Sequence, residues 1–228
     1  MKKIILILLI IGSIGCNQTN VTNNEVIAVQ SVLDFYGGIC QRYKGQRIVN
    51  SQNQAFFELE LSDSKLIENF SNQIEIPASH IAYLFYSKLG HEKEKYDLIK
   101  VSLNLSNDTK PEFFFSTKQL DEVNNFVPIF DNVLEKIVAN NFEEVLIEFD
   151  ETIAQSLKTD QIKDYALKQD SIYGQITDAQ FMGFKFFTSA YNNRASLKLF
   201  GGLIREKTNT TILIIVDKET KKLLKLNL

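Results

Sequence analysis

Apolar residues recur along the chain at two spacings, and the changes between them mark out its elements. From 26 to 44, Val29, Val32, Leu33, Tyr36, Cys40 and Tyr43 fall three or four apart, the stripe of one helix face. Gly37 and Gly38 interrupt that stripe, so a kink or a close approach is expected there. From 54 to 61 the pattern alternates through Phe57, Leu59 and Leu61, which predicts a strand. Ser62 or Asp63 can then cap a short helix through Phe70. Pro77 suits the first position of a helix over 77–89, with His80 or Ile81, Leu84, Phe85, Lys88 and Leu89 on one side and Gly90 as its stop. The stretch 96–105 alternates again, and PEFFFST after a turn at 106–110 reads as the returning strand.

A boundary is expected at 121–125, because helices and then strands follow it. The spacing predicts a helix over 127–139, a shorter helical stretch over 142–157, and a third helix capped by Thr159 and stopped at Gly174. Strands are predicted over 177–188, 195–206, 210–217 and 221–227, the last two joined by a DKETKK turn. On these patterns the fold class is α+β: an N-terminal helix-plus-small-sheet unit over 26–122, then helices packed on a four-stranded antiparallel sheet over 123–228.

The first residues carry a different signal. Lys2 and Lys3 precede eight apolar residues, Ile4 to Ile11, and a polar stretch follows. A spanning helix needs about 20 apolar residues, so 1–15 reads as a signal peptide. Ser13-Ile14-Gly15-Cys16 resembles the lipobox of bacterial lipoproteins, whose cysteine is lipidated and becomes the new N-terminus. Gly15 and Cys16 fit that box, whereas Ser13 and Ile14 stand where it has Leu and a small residue. An ordinary signal peptide with an incidental cysteine is the alternative. On the lipoprotein reading Cys16 is the lipidation site and 16–25 a polar, disordered tether. The protein is then exported and held on the cell envelope. Asn17 is not the inner-membrane retention aspartate, so in a two-membrane organism the outer membrane is expected.

Composition narrows the class. Formal charge is −3, and loss of Lys2 and Lys3 with the leader makes it −5. That argues against a nucleic-acid partner and against an electrostatic membrane patch. With Cys16 lipidated, Cys40 is left without a disulfide partner, and its place on the helix stripe reads as buried core. The 213 residues after the leader can build a core without staples.

The segment NNFEEVLIEFDETIAQSLKTDQIKDYALKQDSIYG, with the Phe-rich strands behind it, resembles nuclear transport factor two-like domains over about 126–228, and within them uncharacterised bacterial lipoprotein domains. The resemblance implies a curved sheet wrapped around helices, often with a pocket between them. Some members are enzymes that pair a pocket acid with a tyrosine. Carried onto this sequence, that implies Asp150 with Tyr165 or Tyr173 as catalytic candidates. The alternative is that Asp150 caps the helix after it, and that both tyrosines are core aromatics with a wet hydroxyl.

Other chemistry has little support. His80 and His91 lie eleven apart with no histidine at i+4, HEKEK is not HExxH, and no nucleophile elbow or phosphate loop appears. No metal and no cofactor is expected. The expectation is a non-catalytic envelope module that binds a partner protein or small ligand. A pocket acid–base lyase or isomerase and a self-associating structural component are the alternatives.

Overall fold

The structure, a computed structural model, describes residues 21–70, 72–188 and 193–228. The expected signal peptide and Cys16 lie outside the described residues. The fold is α+β, with two four-stranded sheets and no closed barrel among the described residues.

Helix α1 (Asn23–Tyr36) begins three residues before the helix start expected at 26, inside the expected tether. Thr22 is the reason. Its hydroxyl accepts the Glu25 N–H while the Glu25 carboxylate accepts the Thr22 N–H at 2.8 Å, a reciprocal cap. The same buried carboxylate takes the Tyr96 hydroxyl and the Lys44 ammonium, the latter at 2.8 Å.

The helix does not run on to residue 44 as the stripe predicted. Gly37 and Gly38 both have positive φ, and the chain turns back as strand β1 (Ile39–Val49). Gly38 is required at this corner, because a Cβ there would strike the Ser62 carbonyl oxygen. Cys40 therefore sits on a strand and is half-buried, not part of a helix stripe. Burial pushes its thiol up to about 12, so it is protonated at neutral pH.

β1 returns as β2 (Gln52–Ser62) through Asn50 and Ser51, both at positive φ, the geometry of a tight primed hairpin turn. Helix α2 (Lys65–Glu68), capped by Ser64, and helix α3 (Glu75–Lys88) follow. They carry the chain across to β3 (Leu98–Leu103), which pairs parallel to β2. β4 (Glu112–Ser116) closes this sheet antiparallel to β3, in the order β1-β2-β3-β4. Its outer face carries a cross-strand ion-pair ladder, Glu58–Lys100–Glu112.

The expected boundary at 121–125 is a helix junction. α4 (Thr117–Asn124) passes into α5 (Val127–Val138) at Phe126, and one hydrophobic core runs across it. α6 (Phe142–Ile147), α7 (Glu151–Ala154) and α8 (Thr159–Tyr173) precede the second sheet. That sheet is an antiparallel meander of β5 (Ile176–Thr188), β6 (Ala195–Arg205), β7 (Thr210–Asp217) and β8 (Leu223–Asn227).

α3 lies between the sheets and is buried on nearly every side, as a helix apolar all round must be. β5 crosses it at close range. The Ser79 hydroxyl accepts the Phe184 N–H at 2.8 Å. A register shift between Phe181 and Gly183 inserts an extra residue. Strict alternation along a strand would put Phe181 and Phe184 on opposite faces, but the bulge turns both inward. Phe181 meets His80, Tyr83 and Phe130 edge-on, and Phe184 meets Phe115. Each such ring pair adds about 0.5–1.5 kcal/mol beyond area burial.

Gly183 has φ 145° and sits against the Ile76 carbonyl, so any Cβ there collides with α3 backbone. Gly183→Ala is expected to destabilise the protein by about 3 kcal/mol through backbone strain and overpacking. Because the core is continuous, thermal denaturation should show one transition at lower temperature, not loss of half the molecule.

Candidate functional site

Among the described residues, a groove beside the last strand and a buried pair beneath α1 stand out as candidate sites.

The groove begins at the junction of α6 and α7. Phe149 forms a parallel bridge to Leu223, with the Leu223 N–H donated to the Glu148 carbonyl and the Asp150 N–H donated to the Leu223 carbonyl, both at 2.9 Å. This fixes α7 beside the outer edge of β8. Asp150 is the residue before α7, and its carboxylate accepts the Thr152 N–H at 3.1 Å, a helix cap. Arg194 lies 3.6 Å from the same carboxylate and 3.4 Å from the buried Asp217.

α8 begins at Thr159 with Lys158 in the cap position, so Thr159 does not cap it as expected, but Gly174 ends it. Its C-terminal end is clamped by Arg205, a buried guanidinium that bonds Asp170 at 2.6 Å and the Gly174 carbonyl at 2.9 Å. Its N-terminal half stands off β8. The gap is a cavity of about 330 Å³ walled by Phe149, Ile153, Leu157, Ile162, Leu224 and Leu226.

The three residues expected to form an acid–base site do not converge. Tyr165 is at the rim of the groove, exposed, with its hydroxyl donated to the Leu228 main-chain oxygen at 3.0 Å. Tyr173 lies at the far end of α8, where its carbonyl accepts the Lys207 and Thr208 N–H groups. Asp150 is not among the residues that wall the groove. The groove thus offers an apolar surface with polar groups at its mouth, suited to holding an apolar group rather than moving a proton.

The buried pair was not anticipated. The Tyr36 hydroxyl and His80 Nδ1 are 2.9 Å apart in the core, with Phe35 and Phe181 edge-on to the imidazole. Tyr36 ends the α1 stripe and His80 is in α3, 44 residues on, so only tertiary packing joins them. Burial pushes the Tyr36 hydroxyl up and holds the His80 imidazole down at about 3, so both are neutral at pH 7. Among the described residues, no three His, Cys, Asp or Glu side chains gather as a metal site requires.

Compared with protein-family models, with curated proteins and with solved structures, the chain matches none.

His80 gives a pH dependence with a definite sign. Folded, it takes a proton only near pH 3; unfolded, it takes one near 6.5. The unfolded state binds more protons between those values, so stability falls as the pH drops through that window, by at most about 1.4 kcal/mol per unit. Urea melts at pH 7 and pH 5 measure the slope, which His80→Phe is expected to flatten.

Proposed function

We propose that this protein is an envelope lipoprotein, anchored through Cys16, that works as a non-catalytic module and holds a small apolar ligand in the groove between α7, α8 and β8. The observation that carries the reading is the groove itself. Its volume, about 330 Å³, lies at the small end of the range of ligand pockets, and its walls are aliphatic and aromatic. Gln161, Tyr165, Lys225 and Asn227 stand around it and can fix a polar head at the mouth. An acyl chain or a compact apolar ring with one polar end has that chemistry.

The position of the groove, between a helix and the antiparallel sheet, agrees with where the resemblance to nuclear transport factor two-like domains leads one to look. The acid–base reading finds less support. Asp150 is engaged by Thr152 and Arg194, and among the described residues no Asp or Glu lines the groove with Tyr165. Export and lipid anchoring rest on the sequence of the first sixteen residues, with the outer membrane as the destination in a two-membrane organism. Among the described residues, no helix is long and apolar enough to cross a membrane.

Titrating the full chain with dansyl-undecanoic acid tests the groove. Saturable one-to-one binding with a blue-shifted dansyl emission is expected. Ile162→Glu and Leu226→Glu each place a charge on the apolar wall and are expected to weaken binding at least tenfold while leaving the far-ultraviolet circular dichroism intact. No saturation, or equal binding by both variants, would reject the groove as the ligand site.

A further inference from the structure

The β1–β2 hairpin is unlike the rest of this acidic chain. Between Asp34 and Glu58 there is no acidic residue, while Arg42, Lys44 and Arg47 all fall there. The hairpin also projects. α1 and β1 run antiparallel, and the Glu25 carboxylate at the start of α1 meets Lys44 at 2.8 Å. Asp97, next to the Tyr96 that also binds Glu25, accepts the Ala55 N–H at 2.8 Å. The start of α1 is therefore level with Lys44 and Ala55. The strands continue past that level to the turn at Asn50 and Ser51, four to six residues on, an overhang of about 13–20 Å at roughly 3.3 Å per residue.

At the end of the overhang Ile48 is 78% exposed and Val49 is exposed beside it. Val26 and Ile27, on the first turn of α1, are exposed at the same end of the molecule. Scattered apolar residues on a surface are ordinary. These four lie on the two elements, the start of α1 and the β1–β2 turn, that extend toward the end where the described chain begins. Only six residues lead from Cys16 to the Thr22 cap, a span of at most about 20 Å.

We propose that the hairpin is a second membrane contact: Ile48 and Val49 enter the interface of the bilayer that holds the Cys16 lipid. The inference rests on the lipoprotein reading. A lipid at Cys16 keeps the start of α1 within about 20 Å of the surface, and the hairpin extends toward the side from which the chain enters. The tip is then the part of the folded body that meets the bilayer first. Its chemistry suits that place. Apolar side chains at the tip are followed by cations and by no acid, the order an interfacial element needs against anionic headgroups. Arg47 is held at the shoulder by Gln54 at 3.2 Å and by stacking over Phe114 at 4.2 Å.

The chain has no tryptophan, so one introduced residue is a sole reporter. Full-length protein carrying Ile48→Trp, or Leu167→Trp on the exposed side of α8, is purified from membranes. It is then reconstituted in phosphatidylethanolamine–phosphatidylglycerol vesicles with and without brominated acyl chains. The Ile48→Trp emission is expected to be blue-shifted and quenched at least twofold by the brominated lipid, and the Leu167→Trp emission to be neither. A water-like, unquenched signal from Ile48→Trp overturns the inference, as does equal quenching at both positions. A blue shift without quenching overturns it too, since the tip is then covered by protein, a second copy or another chain. Intact mass of the same samples reads the lipid on Cys16. An unlipidated chain rejects the anchor and the hairpin contact together; a lipidated chain with a wet reporter rejects the hairpin contact alone.

Discussion

The approach of β5 to α3 organises this molecule. A strand seldom lies so close to a helix backbone, because side chains hold the two apart. Here Gly183 has no side chain and Ser79 has a short one whose oxygen takes the Phe184 N–H. The bulge beside them turns Phe181 and Phe184 into the same layer, where they pack on α3, α5 and β4. Without that contact the inner face of the second sheet and one side of α3 would both be uncovered. With it, the two sheets share one core, and the junction of the two halves is an interior rather than a surface.

The parts of this fold legible in the sequence were those with a local cause. Pro77 falls in the first turn of α3, two residues after the helix starts, Gly90 lies just past its end, Gly174 stops α8, and the four strands of the second sheet fall within a few residues of their expected ends. The failures have physical reasons as well. Cys40 and Tyr43 continue the α1 stripe by coincidence of spacing, and the two glycines between were a corner rather than a kink. The bulge at Phe181 and Gly183 shifts the alternation by one residue, which no reading of period two can detect. The parallel pairing of β2 with β3 is a tertiary fact, set by α3 crossing between them.

The site divides in the same way. Asp150 as a helix cap was legible, since an aspartate before a short helix has that use wherever it occurs. The groove was legible only as a region between the third helix and the sheet. Its walls depend on Arg205 pinning one end of α8 and on the Phe149–Leu223 bridge holding α7 at the edge of β8, and neither contact has a sequence signal. The Tyr36–His80 pair joins two apolar stripes that were each recognised alone. What was missing was the packing that brings them together, and the burial that leaves the imidazole uncharged.

The reach of the contact between α3 and β5 along the chain bears on how the protein assembles. Ser79 and the Phe184 amide it holds are 105 residues apart. During synthesis α3 and the first sheet emerge well before the strand that covers them. Until β5 arrives, α3 presents an apolar side to water, and loop closure over that distance must precede the contacts that reward it. Assembly is therefore late and concerted, and a chain stalled or truncated before β5 exposes an uncovered helix that favours aggregation.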